Sequence, residues 1–175
     1  LGVELPPQKV PILQSRLVQI ANEYNKPVIV ATQMLESMIE HGTPTRAEAT
    51  DVAAACMQGA DAVMLSAETA AGKYPVEAIR MMETIIRETE TYQFFAHGGR
   101  FKRYGERSSD KLHNAIGAAI TQLSIDLLVR AVFVVTKSGY TARIISSDRP
   151  SAPILTFAVS KNVRQRLNLL WGIYP

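Results

Sequence analysis

P-T-R-A-E-A-T-D-V-A-A-A-C-M-Q-G-A-D-A-V-M-L-S, running from Pro44 to Ser66, holds a helix start, a helix stop and a strand in one uninterrupted run. Thr45 can accept from the first free amides, and Glu48, three residues on, can reach back, which makes a capping box and predicts a helix starting there. Val52, Ala53, Cys56, Met57 and Ala60 then line one face, with Gly59 near the exit. Ala62-Val63-Met64-Leu65-Ser66 follows as a short apolar run without polar alternation, the pattern of a strand buried on both faces in a parallel sheet.

The same grammar extends outward on both sides. Val10, Leu13, Leu17 and Ile20 recur at helical spacing and predict an amphipathic helix from Gln8 to Asn25, ended by Lys26-Pro27. Val28-Ile29-Val30-Ala31-Thr32 is another buried strand, separated from Ala62-Ser66 by the length that a right-handed crossover requires. Pro75 suits the first turn of a third helix with Val76, Ile79, Met82 and Ile86 on its apolar face.

Beyond a stretch containing Gly98, Gly99 and Gly105, a helix is marked by Leu112, Ile116, Ile120, Leu123 and Leu127. A strand from Ala131 to Thr136, a short helix from Thr141 to Ser147, a strand from Pro153 to Val159 and a helix from Asn162 to Trp171 complete the pattern. The last helix should bury Val163, Leu167 and Leu170. The chain reads as parallel α/β in two units, residues 1–91 and 111–175, joined by a linker over 92–110. There is no repeat of fixed period.

Composition narrows the function classes. With 175 residues, 47% hydrophobic and 20% charged, the chain can bury a core. A net charge of +3 and a pI near 9.1 fall short of the dense basic face of a nucleic-acid binder. Arg100, Lys102, Arg103 and Arg107 read as a solvated linker. No apolar stretch reaches the roughly 20 residues of a membrane helix, and Leu1-Gly2-Val3-Glu4 lacks the pattern of a secretory signal, so the expected location is cytoplasmic. The single cysteine, Cys56, excludes an internal disulfide framework and a cysteine-rich zinc site, and suits helix packing. His41, His97 and His113 lack metal-ligand spacing, and no serine stands in a Gly-x-Ser-x-Gly frame.

In parallel α/β folds ligands gather at the carboxyl ends of strands, which selects the loops after Thr32, Ser66 and Thr136. Residue types alone leave Thr32 as a mouth-of-sheet hydroxyl or an ordinary strand residue. They leave Glu36 as a site carboxylate or one favoured by a helix dipole. Ser66-Ala67-Glu68-Thr69-Ala70-Ala71-Gly72-Lys73-Tyr74-Pro75 is either a small-residue approach to an anion or a compact turn. Thr136-Lys137-Ser138-Gly139-Tyr140-Thr141-Ala142-Arg143 has the makings of a phosphate cradle, without nucleotide P-loop spacing, or is a plain strand-to-helix turn.

A-T-Q-M-L-E-S-M from Ala31, P-T-R-A-E-x-x-D-V-A from Pro44 and M-L-S-x-E-T-A-x-G-x-Y-P from Met64 stand in an order and spacing that resembles pyruvate kinase. The opening L-G-V-E-L-P, the T-K-S-G-Y-T-A-R segment from Thr136 and the closing Leu170-Trp171-Gly172-Ile173-Tyr174-Pro175 extend the resemblance over essentially the whole chain. It implies the C-terminal part of a (β/α)8 barrel, with strands seven and eight ending at Thr32 and Ser66, followed by a C-terminal α/β regulatory domain cut short at Pro175. The implied reaction is glycolytic phosphoryl transfer between phosphoenolpyruvate and ADP, giving pyruvate and ATP. Mg2+ and K+ would be bound by residues upstream of this segment, as would the catalytic lysine, so the segment alone is expected to be inactive.

By the same resemblance Thr32 contacts the substrate carboxylate region and takes part in protonating the enolate. Ser66 and Glu68 correspond to a serine and a glutamate read as a proton relay. Thr136, Lys137, Ser138, Gly139 and Thr141 match an effector loop for a sugar phosphate or nucleotide, and Arg46 lies in a segment near the catalytic-domain contact of a homotetramer. Ala67 and Ala71 stand where the family commonly has glycine and lysine, and Lys73 lies two places beyond Ala71. Two readings compete. One is a non-catalytic α/β module that binds a sugar phosphate. The other is a phosphoenolpyruvate-dependent phosphotransferase with a phosphohistidine intermediate, which the lack of a histidine near the three strand ends opposes.

Overall fold

The computed structural model describes residues 5–31, 33–97 and 111–175. The expectations placed on Thr32, on the first four residues and on the basic, glycine-containing stretch over 98–110 lie outside the described residues.

In the first unit a 3-10 turn leads into α1 (Val10–Glu23), then β1 (Ile29–Ala31), α2 (Arg46–Gln58), β2 (Ala62–Met64), α3 (Ala67–Ala70) and α4 (Pro75–Ala96). β1 and β2 are parallel, with Val30 opposite Val63, and α2 is the crossover between them. The capping box forms. The Thr45 hydroxyl accepts from the Glu48 amide at 3.3 Å while the Glu48 carboxylate accepts from the Thr45 amide at 2.8 Å, an arrangement worth about 1 kcal/mol. Gly59 closes the helix in the left-handed conformation at φ +95, giving its amide to the carbonyls of Ala55 and Cys56.

Val18, Val30, Leu35, Met38, Val52, Ala55, Ala78 and Met82 form the core of this unit. Its faces differ from the sequence pattern in two places. α1 turns inward Val18 and Asn22, and leaves Leu17 and Ile20 more than 40% exposed. Asn22 donates to the Gly59 carbonyl at 2.9 Å, and Gln14 bonds Gln58. α1 therefore meets α2 partly through amide side chains, which hydrophobic periodicity does not register. The strands were expected to be covered on both sides, yet β1 buries Val30 and exposes Ile29, since the described residues cover one face only.

The second unit runs α5 (Lys111–Asp126), β3 (Val132–Val135), α6 (Tyr140–Ser147), β4 (Ile154–Phe157), α7 (Lys161–Leu167) and β5 (Ile173–Tyr174). Its sheet is parallel in the order β3-β4-β5. Val134, Ala142, Ile145, Ile154, Leu167, Leu170 and Ile173 make its core. The sequence pattern marked no strand at β5, because the strand is only two residues long, following Gly172, whose φ of +67 turns the chain alongside β4.

α5 fully buries Gly117 and Ser124; of the expected leucine and isoleucine stripe Ile120 packs against the core, while Leu112, Ile116, Leu123 and Leu127 are exposed. A Cβ at Gly117 would lie 2.1 Å from a carboxylate oxygen of Asp148, so the glycine permits the close approach of α5 to the end of α6. On the sheet face opposite the helices, Phe133, Val135 and Phe157 are more than half exposed, and the Phe133 and Phe157 rings stack with centroids 6.2 Å apart. α4 continues to Ala96, so Tyr92 to Ala96, expected within the linker, are helical.

The two units meet through a polar cluster. Arg149, 5% exposed, donates to the carbonyls of Gly59 and Ala60 at 2.9 and 3.2 Å and lies 3.7 Å from the Asp61 carboxylate. Its guanidinium stacks 4.7 Å from the centre of the Trp171 ring, and the Trp171 indole donates to Glu90 at 2.6 Å. Ser147 adds a bond to Asn25 at 2.8 Å.

Candidate active site at the strand ends

The loop leaving β1 begins with a conformational exception. Gln33 has φ +54, the left-handed region that a residue with a Cβ enters at a cost of about 1–3 kcal/mol. Leu35 follows, fully buried, and then the 3-10 turn Glu36–Ile39, which carries the fully buried Met38 and leads toward α2. Glu36 is exposed. The loop leaving β2 passes Ser66 and enters the single turn of α3, which carries Glu68 at 3% exposure.

Glu68 joins the two loops. One carboxylate oxygen accepts from the Leu35 amide at 3.2 Å, the other from the Ser66 amide at 2.7 Å. Bonds from amides to an ionised acceptor are the stronger kind, roughly twice a neutral pair. The Ser66 carbonyl receives the Thr69 and Ala70 amides at 3.2 and 3.0 Å. Its backbone is therefore held on both sides, while no hydrogen bond among the described residues engages its hydroxyl.

The two loops also touch at Gly72. A Cβ there would fall 2.5 Å from the Glu68 carbonyl and 3.2 Å from the Ile39 Cα, so only glycine fits, and the next amide, Lys73, donates to the Ile39 carbonyl at 2.8 Å. The Lys73 ammonium is 2.5 Å from Glu40 on the surface, and that hydrogen bond pushes its pKa up. The lysine two places after Ala71 is thus occupied by a neighbouring carboxylate.

Glu48 is used twice. Besides the capping box, it accepts from the Ser37 amide at 2.6 Å and from the Ser37 hydroxyl at 2.5 Å. Burial pushes the Glu48 carboxyl up, but the hydrogen bonds from Ser37 and Thr45 together outweigh it and hold the group below its ordinary value of 4.5. Arg46 occupies the first position of α2 and is exposed. Cys56 sits on the same helix, and burial pushes its thiol up to about 12, with Glu90 adding to the shift and Arg149 opposing it, so the thiolate needed for reactivity does not form.

The loop from Thr136 lies in the other unit. Thr136 is buried and its hydroxyl accepts from the Gly139 amide at 3.0 Å, while the Ser138 hydroxyl accepts from the Tyr140 amide at 3.4 Å. Gly139 is left-handed at φ +85, and a Cβ there would lie 3.2 Å from Leu167. Lys137 and Ser138 are exposed, Thr141 half-buried, and Arg143 stacks 5.2 Å from the Tyr140 ring.

Ser66 and Glu68 are therefore brought together with the loop after β1, whereas the Thr136 to Thr141 loop forms a separate place. Thr32 lies outside the described residues. Sequence reading missed Ser37, Asp61 and the left-handed backbone at Gln33. Nothing in the sequence marks that backbone, and the second use of Glu48 spans a loop whose path is set by tertiary contacts. Asp61 reads as a residue flanking β2. In the structure it accepts from the Val28 and Trp171 amides at 2.9 and 3.4 Å, and burial pushes its carboxyl up against the opposing pull of Arg149.

Parallel strands joined by helical crossovers, with hydroxyl, amide and carboxylate groups collected where the strands end, define an α/β protein of two units. The family models agree in detail. Residues 1–79 match the barrel domain of pyruvate kinase and residues 114–175 match its alpha/beta domain. The pyruvate kinase of Sporosarcina psychrophila is 44% identical over all of this chain, and pyruvate kinase 2 of Synechocystis is 45% identical over all of it. A crystal structure of a pyruvate kinase from Cryptosporidium parvum superposes with a TM-score of 0.87 at 36% identity, covering 99% of this chain and 35% of its own. The chain belongs to the pyruvate kinase family. It spans about 30% of the length of the curated relatives it matches.

Proposed function

We propose that this chain is part of an enzyme that transfers a phosphoryl group between phosphoenolpyruvate and ADP, giving pyruvate and ATP. The observation that supports it most is the carboxylate of Glu68 joining the loops after β1 and β2 beside Ser66, within a chain whose barrel segment matches pyruvate kinase. Phosphoryl transfer depends on positioned groups more than on a protein nucleophile, and these two loops are positioned by backbone bonds.

In this reading the Thr32 hydroxyl contacts the substrate near its carboxylate and takes part in protonating the enolate of pyruvate. The Ser66 hydroxyl serves the same proton transfer. Glu68, with both oxygens occupied by amides, holds Ser66 and the neighbouring loop in place.

Mg2+ and K+ are read as the ions of this reaction, held by residues outside this segment. Among the described residues no group of three His, Cys, Asp or Glu could hold a metal. The buried carboxylate of Glu68 is already satisfied by amides, so no step is assigned to an ion here. The ligands and the lysine that neutralises phosphoryl charge belong to the larger part of the protein, and these residues alone would be inactive.

The Thr136, Lys137, Ser138, Gly139 and Thr141 loop is read as the cradle of a sugar-phosphate or nucleotide effector. Its exposed Lys137 and Ser138 at the start of α6 support the reading. Arg46, exposed at the first position of α2, is read as part of a contact between catalytic domains in a homotetramer. Among the described residues no helix is long and apolar enough to cross a membrane.

The test is pyruvate formation by the full-length protein from phosphoenolpyruvate, with ADP present or withheld and magnesium present or chelated. Pyruvate that appears only with both is expected. Folded protein that makes none overturns the assignment and favours a module that binds a phosphorylated metabolite without turnover.

A further inference from the structure

We propose that Glu48 is a positioning residue for this reaction, fixing through Ser37 the far end of the loop whose near end Glu68 holds. The inference rests on the reaction proposed above and concerns a residue that it leaves without a role.

A capping box requires of Glu48 only that it reach the Thr45 amide. The structure shows two bonds more, at 2.6 and 2.5 Å, to the amide and hydroxyl of Ser37, eleven residues back along the chain. Neither bond helps to start α2. Both fasten the 3-10 turn at Glu36–Ile39 to the helix end, and the turn is plugged into the core by Met38 at 0% exposure.

The loop after β1 is short and irregular. Glu68 holds it at Leu35 and Glu48 at Ser37, and its first described residue, Gln33, is in the left-handed conformation. Such a backbone persists only where its surroundings over-determine it. Loops without regular structure otherwise open at small free energy. Thr32 lies five residues before Ser37 at the start of this loop, so slack at Ser37 is carried along the loop toward the hydroxyl proposed to react. A misplacement of about 1 Å costs on the order of 100-fold in rate. Glu48 itself has donors on both oxygens, from Ser37 and from Thr45, so its action runs through the loop.

The experiment uses full-length enzyme carrying Ser37→Ala, Glu48→Gln or both. Ser37→Ala removes one bond and leaves the helix cap whole, so it remains informative if Glu48→Gln fails to fold. Val18→Ala, on α1 in the same core and outside the loop's sequence, supplies a destabilised comparison variant that leaves Ser37 and Glu48 intact. The expected result is a kcat lower by about 10-fold in Ser37→Ala and by more in Glu48→Gln, with the KM for phosphoenolpyruvate within about 3-fold. The double variant should be no slower than Glu48→Gln alone, as for two partners in one contact. Amide exchange over residues 33–38 should quicken in both single variants and stay unchanged in Val18→Ala.

Loss of kcat no greater than that of Val18→Ala would overturn the proposal, as would unchanged exchange over 33–38. If the unmodified enzyme makes no pyruvate, the reaction assigned above fails; unchanged exchange in the variants would then also remove the clamp, and faster exchange would keep it as a feature of the loop.

Discussion

A buried carboxylate that receives an amide on each oxygen acts as a fixed strut, and Glu68 occupies that position between Leu35 and Ser66. Replacing it with glutamine puts an NH2 against one of those amides, donor facing donor. Glu68→Gln should lower stability by about 1–3 kcal/mol in urea denaturation at pH 7, and lower kcat further than that loss alone would. Glu48 predicts a pH signature. Its carboxyl is held below its ordinary value in the folded chain, so it contributes stability above the unfolded value, about 4.3, and the contribution disappears as pH falls through the depressed folded value. Thermal denaturation scans from pH 6 down to pH 3 should therefore show a steeper loss for the unmodified protein than for Glu48→Gln.

At the scale of elements, the loops are set by close approach as much as by hydrogen bonds. Gly72→Ala would push a methyl group against the Glu68 carbonyl, at 2.5 Å, and the Ile39 backbone. Because neither neighbour is a flexible side chain, the change should cost about 1–3 kcal/mol, as overpacking does, and denaturant unfolding checks it. Leu35→Ala, at a fully buried position in the loop, should cost about 2–5 kcal/mol. Most elements were legible in the sequence. The Thr45 to Gly59 helix carries its start and stop in its own residues, and the parallel strands are short branched runs that admit few alternatives. The inward faces of α1 and α5 were only partly legible. Asn22, Gly117 and Ser124 make contacts that no hydrophobic period marks, and β5 is too short to show a pattern. At the site, the hydroxyl at the end of a strand and the acid two places later were visible as a motif. The joining of Glu68 to Leu35 and of Glu48 to Ser37 was not, because each spans a loop whose course is fixed only by packing.

For the whole molecule, the join between the two units rests on few groups. Arg149 reaches across to Gly59, Ala60 and Asp61 with 6% of its side chain exposed, and Asp61 shows 9%. Burial raises the Asp61 carboxyl in spite of the neighbouring cation, so the pair is held at a desolvation cost. Arg149→Met would leave the carboxylate without its cation and the two carbonyls without their donor. It should lower stability by about 3–5 kcal/mol at neutral pH, with part of the loss recovered in Arg149→Met/Asp61→Asn, both read by chemical denaturation. Phe133, Val135, Phe157 and Val159 have a practical consequence for anyone who prepares these residues alone. Their exposures run from 59% to 99%, the first three on the adjacent strands β3 and β4 and Val159 just beyond β4, and such exposed apolar groups wet poorly and bind their like. A preparation of only these residues should bind a hydrophobic fluorescent dye, elute larger than its 19.2 kDa, and stay in solution longer when Phe133 and Phe157 are replaced by threonine.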